Sequence, residues 1–95
     1  MSREEIIATL HRQREVLSAR YPLHRLALFG SWARGDARED SDIDVLVEVD
    51  ASIGLRFVDL ALDIERALGR RVDLVSRRAL KPSLWRRIEP ELIDA

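Results

Sequence analysis

The sequence predicts an α/β (α+β) fold, a small mixed β-sheet with helices packed on one face. Two observations carry that prediction. Over residues 43–49 apolar and polar residues alternate, with Ile43, Val45, Val47 and Val49 on one face, the two-residue period of a half-buried strand. On either side the period becomes helical, with Ile6, Ile7, Leu10 and Leu17 before it and Phe57, Leu60, Ala61, Ile64 and Leu68 after it. The 95 residues suit one domain, 1–95, with a small core.

Each element has a local reason. Ser2 and Glu5 have the spacing of a capping box, so a helix is expected over 3–19. Tyr21-Pro22 ends it, because the residue before proline is pushed out of the α region. Leu26 to Phe29 reads as a strand bounded by Gly30. Residues 30–40 are polar, carry two glycines and read as a loop with room for one helical turn. In the strand 43–49, Asp44, Leu46 and Glu48 take the second face, and Asp42 stands at its entrance on the side of Asp44. A helix follows over 55–68, in which Leu55, Val58 and Leu62 are expected to widen the apolar stripe. Gly69 is a natural C-cap. Residues 71–75 form a further β-branched run, interrupted by Asp73. Residues 79–82 make a turn, and Pro82 suits the first turn of a last short helix through Ile88. Pro90 breaks that helix, and the tail ELIDA reads as a brief edge strand or a frayed end.

Composition narrows the function classes. Sixteen Lys+Arg against seventeen Asp+Glu give a formal net charge of −1, so bulk charge does not point to nucleic acid. The absence of cysteine removes disulfides and thiolate chemistry. The start MSREEII has no apolar signal region, and no apolar run approaches the roughly 20 residues that span a bilayer. The expectation is a cytoplasmic protein with no membrane partner. The charges are segregated, however. Residues 36–50 hold seven acids against Arg38, and residues 66–87 hold eight bases against Asp73. Two solvated surfaces that attract each other would explain this. So would an acidic metal site rimmed by arginines that meet phosphates or an acidic partner.

The candidate chemistry lies in GSWARGDAREDSDIDVLV, residues 30–47. Asp42 and Asp44 project together, and like charges that close repel and raise each other's pKa. A metal ion carrying a polyphosphate would offset that cost. With the strand of Asp73 alongside, three carboxylates share one open face, a hard oxygen site for Mg²⁺ or Mn²⁺. Zinc fits poorly, since there is no cysteine and His11 and His24 lie in other segments. Before the pair, Gly30 lets backbone approach a ligand. Ser31 offers a hydroxyl for terminal phosphate oxygens, or alternatively a helix cap. Arg34 is a phosphate clamp or a buttress that fixes the loop on an acid. Together these residues suit two-metal phosphoryl or nucleotidyl transfer. Trp32 flanks the nucleotide or packs under the loop. Trp85 is core or, with Leu84, Arg86 and Arg87, part of a docking surface.

Gly30-Ser31-Trp32-Ala33-Arg34-Gly35 followed by Ser41-Asp42-Ile43-Asp44-Val45-Leu46-Val47 resembles the signature of the DNA polymerase β-like nucleotidyltransferases. The small size, Arg71-Val72-Asp73-Leu74-Val75 and Ala79-Leu80-Lys81-Pro82 resemble its minimal nucleotidyltransferase (MNT) branch. That resemblance covers residues 22–93. It implies that Gly30 and Ser31 handle the triphosphate of ATP, and Arg34 is expected beside them as a nucleotide-binding residue. It implies that Asp42, Asp44 and Asp73 bind the metals, with Asp73 the base for the attacking hydroxyl. It further implies an antitoxin partnered with a HEPN-domain ribonuclease toxin in a hetero-oligomer, silencing it by moving AMP from ATP to a tyrosine. A stoichiometric antitoxin without catalysis, or nucleotide transfer to a small molecule, stays open as an alternative. Direct nucleic-acid binding is not expected unless the arginines form one continuous face.

Overall fold

The computed structural model describes residues 1–95. Its elements in chain order are α1 (Arg3–Arg20), β1 (Leu23–Phe29), α2 (Gly30–Arg34), β2 (Ile43–Val49), α3 (Arg56–Leu68), β3 (Val72–Ser76), α4 (Pro82–Ile88) and β4 (Ile93–Asp94). Short 3-10 turns occupy 51–53, 77–79 and 89–91. The helix start at Ser2 is the expected capping box. Its hydroxyl accepts the Glu5 amide at 3.1 Å, and the Glu5 carboxylate accepts the Ser2 amide at 3.1 Å. Pro82 stands in the first turn of α4, where its missing N–H costs nothing.

The sheet is four-stranded in the order β3-β2-β1-β4. β1 runs antiparallel to β2 and to β4, and β2 runs parallel to β3. The mixed sheet follows from the chain path. β1 and β2 flank one loop, whereas β3 is reached through the crossover helix α3, which a parallel pairing requires. β4 is the expected brief edge strand, held by Arg25, whose guanidinium meets Asp94 at 2.8 Å.

β2 sorts its side chains as its alternation predicts. Ile43, Val45, Val47 and Val49 enter the main core with Ile6, Leu10 and Leu17 of α1 and Leu60, Ile64 and Leu68 of α3. Each such fully buried aliphatic side chain contributes about 1.5–3 kcal/mol relative to exposure. On the opposite face Leu46 joins Ala27, Phe29 and Ile88, with Trp85 and Leu80 packed against them. The short α4 therefore covers part of the second face, an addition to the one-faced helical layer the sequence suggests.

The width of the α3 stripe is a correction. Leu55 is 93% exposed, Val58 60% and Leu62 43%, on the side of the helix away from Leu60 and Ile64. A helix against one sheet buries one stripe, and no further layer covers its outer side. No helix is long and apolar enough to cross a membrane.

Candidate active site

The site begins where β1 ends. Gly30 has φ +76°, a backbone region that L side chains rarely adopt. A Cβ there would also collide with the Asp44 carboxylate, lying 2.9 Å from its Cγ. The reason is register: Asp44 of β2 stands opposite Phe29 of β1, one residue before Gly30. Glycine at 30 thus lets the turn into α2 pass directly over the Asp44 side chain. Gly35, with φ +86°, closes that five-residue helix, as the reversal of the chain demands.

The parallel pairing of β2 and β3 sets Asp44 beside Asp73 in register. Burial is the main cause holding the Asp44 carboxyl above its ordinary pKa, and the negative charges of Asp73 and Asp42 add to it, while Arg34 opposes. The negative charge gathered around Asp44 is one that a divalent cation would relieve, and the carboxylate donor chemistry fits Mg²⁺ or Mn²⁺. The three carboxylates do not form a closed cage by themselves, since no three His, Cys, Asp or Glu side chains are gathered tightly enough to hold an ion.

Beside Asp44 opens a cleft of about 370 Å³. Gly30, Ser31, Arg34 and Asp44 line it together with Leu84, Arg87 and Glu91. Four of the six metal- and nucleotide-binding candidates, Gly30, Ser31, Arg34 and Asp44, therefore meet at one cavity. Asp73 is exposed on β3. Asp42 lines a separate depression with Asp40, Arg70 and Arg71, so part of the basic segment faces part of the acidic one.

The other side chains singled out from the sequence have individual partners. Arg34 makes buttressing contacts, its Nε on Asp36 at 3.2 Å and its Nη1 on Glu91 at 3.0 Å. Trp32 packs under the loop, donating its indole N–H to the Ser41 carbonyl at 3.1 Å with Arg70 stacked 5.1 Å from its ring. Trp85 packs against the smaller cluster with Arg77 on its ring at 3.9 Å, so the docking surface expected of residues 84–87 is divided. Leu84 and Arg87 belong to the cleft, Trp85 to the packing. Glu91 is the residue that sequence reading missed. Its only local signal is the turn at Pro90, and nothing near it in sequence announces that it reaches Gly30.

A glycine turn laid over strand carboxylates, on a four-stranded mixed sheet backed by α1 and α3, is the framework of a nucleotidyltransferase. The chain belongs to the nucleotidyltransferase domain family, whose family model matches residues 10–94, and it is of the minimal kind. It is 36% identical over 91 residues to the protein adenylyltransferase MntA of Thermococcus cleftensis, covering 95% of this chain and 92% of that one. A solved structure assigned as a minimal nucleotidyltransferase is 42% identical, with a TM-score of 0.74 and coverage of 98% of this chain and 95% of that one. The MNT antitoxin complex with a tri-AMPylated HEPN toxin from Shewanella oneidensis is also similar. There the identity is 25% and the TM-score 0.67, over 92% of this chain and 68% of that one.

Proposed function

We propose that this chain is a metal-dependent antitoxin that transfers AMP from ATP to a tyrosine hydroxyl of a HEPN-type ribonuclease toxin. The observation that carries the reading is the contact of Gly30 with the Asp44 side chain. It brings a phosphate-loop backbone against a carboxylate already flanked by Asp42 and Asp73.

In this reading Gly30, Ser31 and Arg34 hold the triphosphate in the cleft, the Ser31 hydroxyl meeting the outer phosphates. Asp42, Asp44 and Asp73 hold Mg²⁺ or Mn²⁺. The chemistry a bound divalent ion supplies is charge neutralisation at the phosphates and acidification of the acceptor hydroxyl. The tyrosine oxygen forms a bond to the α-phosphorus, the bond from that phosphorus to the bridging oxygen breaks, and pyrophosphate leaves. Asp73, exposed at the sheet edge where an acceptor can reach it, takes the phenolic proton. A phenol has a pKa near 10, so the acceptor must arrive already positioned, and the partner supplies it along the open side of the sheet.

The test is the intact mass of a co-expressed HEPN-type partner after incubation with ATP and Mg²⁺. The wild-type chain should add the mass of one or more AMP groups. Asp73→Asn should retain nucleotide and partner binding yet slow modification by about 10²–10⁴-fold. Asp44→Asn should lose metal-dependent nucleotide binding while remaining folded. A tight wild-type complex that never gains mass replaces this reading with stoichiometric neutralisation. Modification of a small hydroxyl compound and not of the partner replaces it with small-molecule transfer.

A further inference from the structure

Glu91 belongs to the 3-10 turn after α4, far along the chain from the loop it touches. Its Oε1 accepts the Gly30 N–H at 3.1 Å and its Oε2 accepts Arg34 Nη1 at 3.0 Å. One carboxylate thus engages a backbone amide and a guanidinium of the same loop, inside the cleft lined by Ser31 and Asp44. Two oxygens sharing a negative charge on an N–H and a guanidinium is also the pattern a phosphate group would present to those donors. Arg34 has its Nε on Asp36, and the Nη1 N–H and the Gly30 N–H that Glu91 holds become available to a phosphate only when Glu91 yields them.

We infer that Glu91 is a resident carboxylate on the phosphate donors of the loop, and that a triphosphate binds by exchanging with it. The inference rests on the reading of Gly30 and Arg34 as triphosphate ligands. Two physical costs favour the exchange. Glu91 adds negative charge beside Asp44, and a polyphosphate entering the cleft repels it. Two physical gains explain its presence beforehand: it satisfies the Gly30 amide and it holds Arg34 in place.

The remainder of the segment is anchored independently. Asp94 is paired with Arg25 at 2.8 Å, and the Ala95 amide bonds the Leu26 carbonyl at 3.0 Å. Exchange therefore frees the turn 89–91 from the loop, while β4 stays paired and α4 stays packed on the sheet through Ile88 and Trp85.

Calorimetric titration with ATP and Mg²⁺, and separately with AMP, of the wild-type, Glu91→Gln and Glu91→Ala proteins tests this. Thermal unfolding confirms that each is folded, and the near-isosteric Gln variant decides alone should the Ala variant unfold. The expected result is ATP binding tightened about tenfold by loss of the competing charge, with a smaller gain for AMP. ATP binding by wild type, with equal or weaker binding by the folded variants, overturns the exchange and makes Glu91 a structural brace. Failure of all three proteins to bind ATP overturns the reading of the loop itself, and this inference with it.

Discussion

On one face of the sheet α1 and α3 close over a cluster of sixteen buried residues, whereas on the other α4 and its flanking turns close over four. β2 serves both. Its Ile43, Val45 and Val47 point into the thick layer, and its Asp44 and Leu46 point to the thin one. The incomplete cover is what leaves Asp44 at the wall of a cleft instead of in a core. Stability and chemistry are thus assigned to opposite faces of one strand, and the pleat is the device that separates them.

Truncation on the two faces gives the largest expected effect. Leu60→Ala removes a fully buried side chain from the thick layer and should cost about 2–5 kcal/mol, a large share of the roughly 5–15 kcal/mol of a small domain. Ile88→Ala, at the rim of the thin cluster, should cost about 2 kcal/mol, at the low end of that range, while altering nucleotide affinity because Ile88 also lines the cleft. Urea denaturation measures both, and a larger loss for Ile88→Ala breaks the comparison.

A smaller effect sharpens the description of the thick side. The Tyr21 hydroxyl donates to Asp63 of α3 at 2.6 Å. That bond, with burial and the negative charge of Asp63 adding to it, lifts the phenol from 10.0 to about 12. A pKa raised by folding means that the bond's contribution is complete below pH 10 and is lost as pH climbs through about 12. Tyr21→Phe should cost about 1 kcal/mol at neutral pH, and its melting temperature should lack the alkaline step shown by wild type. An unchanged step in the variant would assign that alkaline loss to other groups.

The smallest effect is expected on the outer side of the same helix. Leu55→Ser, at a residue 93% exposed, should alter stability by no more than about 0.5 kcal/mol. A loss comparable to that of Leu60→Ala would mean that Leu55 is covered in solution by another surface.

Much of this was legible in the residues. The alternation at 43–49 gave the strand and its two faces. The capping box at Ser2 and the proline at 82 gave helix starts, and Gly30 and Gly35 marked the loop that bends over Asp44. All of these depend on neighbours within a turn or a pleat. The side of α3 left uncovered was not legible, because an apolar residue at helical spacing carries no mark of whether a further layer exists. The depression shared by Asp42, Arg70 and Arg71 was equally hidden, since it joins segments on either side of α3.

The sequence by itself therefore determined the elements, their order, the family signature and the carboxylates that the proposed chemistry uses. Each is written in local period, in backbone preference or in residue type. Tertiary structure decided the rest. The register of β1 on β2 puts Asp44 under Gly30, and the parallel pairing of β2 with β3 sets Asp73 at its side. The return of the chain through α4 brings Glu91 onto the loop. The reason is that a strand's register and a turn's landing place minimise the burial and pairing energy of the whole sheet, a quantity to which residues distant in sequence contribute as much as adjacent ones.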